Sequence, residues 1–448
     1  MIYFLSPVIA LATFITAACA ATKPNVLVLV TDDQRADTIS AFGNDVVETP
    51  NLDRLAKRGF TFHNAYCMGS TMGAVCNPSR HMMLSGRSLY RYRSQNAEGT
   101  FADVMNKAGY VTWHFGKRGN TAREYHKAFQ YSAYLDDAKE RASGHHGRAA
   151  ADRAIDFLKN GWNPNKPLFM YVDFEGPHDP RIANEWWMRL YDRDGIPLPP
   201  NYKPFHPFNN GALLVRDERL APWPRSPEDV RKHLHEYYAC ISSLDHQIGR
   251  ILEALEDIEQ LDNTIVVFTS DHGLAVGSHG LFGKQNLYEH SMKSPLIVAG
   301  PGIPHGGSEA LVYLFDIFPT VMDLVNANIP ADIDGKSLRP IIEGRAEKVR
   351  DSIFLAYGNV QRAIRQGDWK LIRYPKVDVT LLFNLREDSH EVKNLADEAH
   401  HARRVTALTE LLSSEQKHYG DTATFTAKKL QPAAVDEAFF ARNLDEAK

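Results

Sequence analysis

Asn25-Val-Leu-Val-Leu-Val30, followed at once by Thr31-Asp32-Asp33, is the stretch on which the fold turns. An unbroken apolar run, without the alternation of a half-exposed strand, predicts a parallel strand buried on both faces. The same texture returns in Tyr110-Val-Thr-Trp-His-Phe115, Leu168-Phe-Met-Tyr-Val-Asp173 and Thr264-Ile-Val-Val-Phe-Thr269. Helical patterns lie between them, near residues 101–108, 148–159 and 228–258. Thr49-Pro50, ahead of Leu52, Leu55 and Ala56, predicts a capped helix start with Pro at its first position. Strands alternating with helices predict an α/β fold: a large mixed, mostly parallel sheet sandwiched by helices. In such sheets ligands sit beyond the carboxyl ends of the strands.

The chain has 448 residues, 51 Lys+Arg against 55 Asp+Glu, and a formal net charge of −4. Charged residues are 24% and hydrophobic residues 44%, an ordinary globular composition that excludes collagen, coiled coil and multi-span membrane protein. No global basic excess exists to displace counterions, so nucleic acid is not an expected partner. The 4 cysteines, Cys19, Cys67, Cys76 and Cys240, are too few for a disulfide scaffold.

Residues 1–20 carry no charge, and the apolar run Leu11–Ala20 ends in Ala18-Cys19-Ala20. Small residues in that spacing predict a secretory signal cleaved after Ala20, hence a secreted or periplasmic protein without stable membrane insertion. Cleavage removes Cys19 and leaves three cysteines, an odd number for an oxidising compartment.

Two domains are expected after the signal: a catalytic α/β region over residues 21–345 and a smaller subdomain over 346–448. Within the first, residues 180–226 break the pattern and read as a long irregular insertion, with Trp186, Trp187, Trp223 and many prolines. In the second, Ser352–Tyr357, Trp369–Tyr374 and Thr380–Asn384 predict a small antiparallel sheet, with a terminal helix near 402–417.

Chemistry collects at the strand ends. Asp32 and Asp33 follow the first strand; Asp271 and His272 follow the strand 264–269. Carboxylates gathered at one edge repel, and a divalent cation is the usual resolution. Hard oxygen ligands favour Ca²⁺ or Mg²⁺, while the His272 imidazole keeps Zn²⁺ and Mn²⁺ in play. Cys76-Asn-Pro-Ser-Arg80 enters a helix, where the helix N-terminus and Arg80 favour an anion. Spacing alone suggests an activated thiolate, which is discordant beside a hard-ion site.

These pieces resemble the type I, formylglycine-dependent sulfatases of the alkaline phosphatase superfamily. The matching segments are Pro24-Asn-Val-Leu-Val-Leu-Val-Thr-Asp-Asp-Gln34, Thr49-Pro-Asn-Leu-Asp-Arg-Leu-Ala56, Cys76-Asn-Pro-Ser-Arg80 with Leu84-Ser-Gly-Arg87, Gly116-Lys117, Pro177-His178, Ser270-Asp-His-Gly273 and Gly283-Lys284. They stand in family order, and the Asp-His-Gly variant is similar to iduronate-2-sulfatase-like and bacterial glycan sulfatases. The resemblance implies an alkaline phosphatase-like fold and a sulfuric ester hydrolase. It implies that a maturation enzyme oxidises Cys76 to formylglycine. One hydroxyl of the hydrated aldehyde would attack sulfur, and deprotonation of the other would expel sulfate. It implies a single divalent cation, Ca²⁺ foremost, on Asp32, Asp33, Asp271, His272 and the converted Cys76. Arg80, Lys117 and Lys284 would neutralise the ester, and His178 would protonate the leaving oxygen.

One position departs from the pattern. Gly119 stands where the family's Gly-Lys-x-His motif has His, so either the pocket is rebuilt or the elimination step is slowed; His114, His178 and His279 are candidate substitutes. The reading is a sulfatase acting on sulfated carbohydrate, with Trp186, Trp187, Trp223 and the loop 201–208 as candidate sugar-stacking surfaces. Its alternatives are a phosphonate monoester or phosphodiester hydrolase, a choline-sulfatase-like enzyme, or a degenerate glycan-binding homologue.

Overall fold

The structure is a computed structural model that describes residues 23–92 and 95–445; the expected signal segment 1–20 lies outside the described residues. Fourteen strands occur among the described residues. In chain order they are β1 (Asn25–Thr31), β2 (Phe60–Tyr66), β3 (Gly69–Ser70), β4 (Val111–Lys117), β5 (Tyr131–Leu135), β6 (Leu168–Asp173) and β7 (Thr264–Ser270). Then follow β8 (Lys293–Ser294), β9 (Leu296–Ala299), β10 (Gly306–Tyr313), β11 (Ser352–Tyr357), β12 (Gln361–Gln366), β13 (Trp369–Tyr374) and β14 (Val379–Asn384).

The large sheet runs β10-β2-β9-β7-β1-β6-β4-β5, with β8 paired to β2. β1 is central, parallel to β6 on one side and to β7 on the other. β9 runs antiparallel to both its neighbours, so the sheet is mixed but mostly parallel. Alternation along β1 explains why its sequence is apolar throughout. Val26, Val28 and Val30 enter one core and Leu27 and Leu29 the other. The second core is closed by helices Arg148–Asp156 and Pro227–Asp257.

The helix Pro50–Arg58 begins with Pro, but Thr49 makes no side-chain cap. Asp245 of the long helix caps it instead, accepting from Leu52 N at 2.8 Å and Asn51 N at 3.1 Å. A cap supplied across the fold has no local sequence signal.

The small sheet runs β14-β13-β12-β11-β3. The apolar pattern points to β11, β13 and β14; β12 is added because its inward arginines break that pattern. Arg362 pairs with Asp421 at 2.5 Å, and Arg365 reaches Asn64, Tyr66 and Glu289. β3 comes from far upstream and joins parallel to β11. Gly69 must be glycine: a Cβ there would lie 2.0 Å from the Ala356 carbonyl oxygen, and its φ is +105°. A second helix, Glu437–Asp445, follows the expected one at Ala402–His418.

Leu29 is fully buried beneath the long helix. Leu29→Ala should destabilise the protein by about 2–5 kcal/mol in urea unfolding followed by circular dichroism.

Candidate active site

Parallel register sets one level for several strand ends. Thr31 lies opposite Ser270, Val30 opposite Asp173, and Asp173 opposite Gly116. Asp32-Asp33, Asp271-His272 and Lys117 therefore leave the sheet side by side. Asp33 has φ +71°, donates its N–H to Asp271 Oδ1 at 3.0 Å and accepts the Tyr237 hydroxyl on its carbonyl at 2.6 Å. Asp32 N–H donates to the Gly176 carbonyl at 2.9 Å, which draws Pro177-His178 to the same edge.

The helix Cys76–Ser85 delivers the third element. Ser79 Oγ donates to the Asp271 carbonyl at 2.7 Å. Arg80 donates from Nε to Asp271 Oδ2 at 3.1 Å and from Nη2 to the Thr31 carbonyl at 3.1 Å, and forms an ion pair with Asp173. Arg80, Asp173 and Asp271 are all fully buried. The Arg80 guanidinium is committed to two carboxylates and a carbonyl, so in this structure Arg80 holds the site residues in place.

The remaining expected residues converge on Cys76. Its Sγ lies 3.3 Å from His272 Nε2, 3.1 Å from Lys284 Nζ and 3.7 Å from Asp33 Oδ1. Lys284 Nζ also donates to both Asp33 oxygens, at 2.7 and 2.9 Å. Lys117 Nζ donates to Asp32 Oδ2 at 3.1 Å. His178 places Nε2 4.0 Å from Asp33 Oδ2 and holds Nδ1 2.7 Å from the Asp179 carbonyl. The contact to a carbonyl assigns the proton to Nδ1 and leaves Nε2 facing the site.

Charge balance sets the protonation. Burial alone would raise Asp33, but Lys284, His178 and His272 outweigh it and hold the carboxyl far below its usual range. Asp32 is likewise lowered, burial being outweighed by Lys117, His178 and Arg80. Burial would lower Lys284, yet Asp33 keeps the ammonium firmly charged. Cys76 moves the other way: burial and then Asp32 push its thiol well above the usual value, against Lys284. The activated thiolate suggested by spacing is therefore corrected; this is a carboxylate nest in which a thiolate is disfavoured.

The donors suit a hard cation. Asp32, Asp33, Cys76 and His178 offer ligand atoms within 4.8 Å of one another, and so do Cys76, Asp271 and His272. Asp32 Oδ1 is buried without a hydrogen-bond partner. Three carboxylates and an imidazole fit a divalent ion; only the sulfur is out of place among them.

Gly273 is dictated by packing, since a Cβ there would lie 2.1 Å from the His290 carbonyl oxygen. Gly119 is not: an added Cβ meets nothing within 4 Å. Of the candidate substitutes for an imidazole at 119, His178 reaches the carboxylate nest, and His114 Nε2 comes to 3.9 Å from Asp173 Oδ2. His114 is buried against His126, Nδ1 to Nδ1 at 2.8 Å, and His279 stacks on Tyr288 and bonds the Glu391 carbonyl.

The structure also brings in residues without a motif. Asn120 Nδ2 donates to Asp32 Oδ2 at 2.7 Å. Asp173 ends β6 as Asp32 follows β1, which is the signal that marks it. From the insertion, Arg216 and Asp217 arrive instead of tryptophans. Arg216 Nη1 lies 3.0 Å from Asp179 Oδ2, and Asp217 Oδ2 lies 4.0 Å from Lys284 Nζ. Of the candidate sugar platforms, Trp187 and Trp223 pack against neighbouring residues, while Trp186 stays open. Trp187 is 6% exposed and Trp223 stacks on Phe440 at 4.2 Å, while Trp186 is 60% exposed with its edge against Trp187. In the loop 201–208, Tyr202 bonds the Arg225 carbonyl and His206 bonds Tyr288.

A family model described as Sulfatase matches residues 24–327, and one described as N-sulphoglucosamine sulphohydrolase, C-terminal, matches residues 277–418. The chain is 27% identical to the N-acetylglucosamine-6-O-sulfatase of Bacteroides thetaiotaomicron, covering 89% of this chain and 87% of that protein. It is 28% identical to the choline-sulfatase of Rhizobium meliloti, covering 90% and 88%. A solved structure described as a complex with its substrate D-glucosamine-2-N,6-O-disulfate superposes with a TM-score of 0.75 at 25% identity, covering 90% of this chain and 99% of that one.

Arg80→Ala leaves Asp173 and Asp271 buried and unpaired, and should cost about 3–5 kcal/mol of stability. Gly119→His enters open space and should change stability by less than about 0.5 kcal/mol. Urea unfolding of both variants beside the wild type checks the contrast.

Proposed function

The chain belongs to the sulfatase family and hydrolyses sulfuric esters, and we propose that the ester is carried by a sulfated sugar. We further propose a formylglycine made from Cys76 by a maturation enzyme, and a divalent cation, Ca²⁺ foremost, on Asp32, Asp33, Asp271 and His272. One observation carries the reading: Cys76 Sγ stands in the carboxylate nest, within 3.3 Å of both Lys284 Nζ and His272 Nε2. A thiol is the wrong donor there, and conversion replaces it with oxygen. The sugar reading is supported by the names of the similar glucosamine sulfatases.

The hydrated formylglycine supplies an oxygen nucleophile and a second hydroxyl for sulfate release. The bound cation supplies positive charge for the carboxylates and the ester. The chain's own residues do the rest. Lys117 and Lys284 are the charged groups placed to neutralise ester oxygens. His178, its Nδ1–H fixed on the Asp179 carbonyl, faces the site with Nε2, and in its imidazolium form it would donate the Nε2 proton to the departing sugar oxygen. Asn120 holds Asp32 in place at the same oxygen that Lys117 meets, Oδ2. The apolar run Leu11–Ala20 supports export, which would place the enzyme outside the cytoplasm or in the periplasm. No helix among the described residues is long and apolar enough to cross a membrane.

Matured protein should release sulfate from glucosamine 6-sulfate, read by ion chromatography, faster than it cleaves an aryl phosphodiester. The reverse preference would favour the phosphodiesterase reading, and glycan binding without release the degenerate one. Cys76→Ala and chelation should each abolish release, with Ca²⁺ restoring the chelated enzyme. His178→Ala should lower kcat by about 10²–10⁴-fold for sugar esters, and less for an aryl sulfate whose leaving group needs no proton.

A further inference from the structure

Lys284 is a buried ammonium shared between two carboxylates. Asp33 accepts from it at 2.7 and 2.9 Å, and Asp217 Oδ2 stands 4.0 Å away. Asp217 lies on the short turn Arg216–Leu220, within the insertion 180–226. Its carboxylate accepts three hydrogen bonds from two side chains. Gln285 Nε2 donates to Oδ2 at 2.7 Å, and Arg216 donates to Oδ1 from Nε at 2.8 Å and from Nη2 at 2.5 Å.

The next residue grips the same segment by its backbone. Glu218 accepts from Phe282 N at 2.9 Å and Gly283 N at 2.8 Å, and pairs with Arg225 at 2.7 Å. The contact leaves no slack at Gly283, where a Cβ would lie 3.0 Å from Asp217 Cβ and 2.5 Å from Gln285 Oε1. The insertion therefore fixes an anion next to Lys284 with much stronger anchorage than a loop carboxylate needs for solubility alone.

A buried ammonium requires an anion beside it. The proposed function assigns Asp33 to a divalent cation, and the present inference rests on that reading. A carboxylate facing a divalent ion is a poorer partner for an ammonium, because the two cations repel. Among the described residues, the other carboxylate within 4.0 Å of Lys284 Nζ is Asp217.

We propose that Asp217 is the positioning residue of Lys284: it receives the ammonium when Asp33 ligates the cation, and so keeps Lys284 out of the cation's place and near the ester. Asp217 touches neither cation nor ester and acts through Lys284.

The test is a double-mutant cycle on cation binding, read by calorimetry with Ca²⁺ and Mn²⁺ on the full-length protein. Asp217→Asn should weaken binding about tenfold, since Lys284 then stays on Asp33 and competes. In a Lys284→Met background the same substitution should change affinity by less than about twofold. Asp217→Glu, which keeps the anion, should recover most of the loss. Unchanged affinity in Asp217→Asn overturns the inference. So does a loss that persists in Lys284→Met, or a Glu variant as weak as the Asn variant, since either marks a merely structural role. A wild type that binds neither ion overturns the parent reading and this inference with it; binding by the wild type isolates the failure to Asp217.

Discussion

The ion pairs of Arg80 with Asp173 and Asp271 are the contact on which the rest of the site depends. Parallel strands ending at one level bring Asp32, Asp33, Asp173 and Asp271 to one buried edge. Four carboxylates there face three fixed cations, Arg80, Lys117 and Lys284. Counting these seven groups alone, the edge keeps one negative charge. A divalent ion would turn that to one positive charge, the right sign to hold an anionic ester. Arg80 makes this possible by offsetting part of the charge on Asp173 and Asp271 and by holding Asp271 beside Asp32 and Asp33, where it can serve as a ligand.

That geometry was largely legible in the chain. The apolar runs of β1, β6 and β7 announce buried parallel strands, and their terminal acids announce the site. Lys117, His178 and Lys284 are single residues in otherwise unremarkable loops, so only their place among the family segments marks them. What could not be read shares one physical cause: the decisive partners lie far apart in sequence. Asp245 caps a helix some two hundred positions upstream, β12 buries arginines whose acids lie elsewhere, and Asp217 reaches Lys284 from the insertion. Charged residues paired inside a fold look, in sequence, like solvated ones.

The insertion shows the same inversion. Its tryptophans suggest a surface that greets a ligand, yet Trp187 and Trp223 are packed, and Trp223 lies between Phe440 and the Arg225 guanidinium. Its charged residues suggest a solvated face, yet Asp217 and Glu218 are buried and reach the Lys284 segment. Arg216 stays open, 62% exposed in its side chain while bonded to Asp179 and Asp217. The loop thus acts as a brace between the His178 and Lys284 segments, which come from different strands.

The cysteines complete the argument. Cys67, Cys76 and Cys240 are all free and buried, so the odd number expected after signal cleavage is not resolved by pairing. Their surroundings separate them. Burial pushes the Cys67 thiol up to about 12, and its contacts are to backbone at Gly69, the setting of a packed apolar side chain. Cys76 instead touches an ammonium and an imidazole in a nest of acids. Packing alone explains the first and cannot explain the second. A thiol so placed is neither a good hydrophobe nor a good nucleophile, and that mismatch between atom and surroundings is the physical ground for reading Cys76 as the precursor of an oxygen-bearing residue.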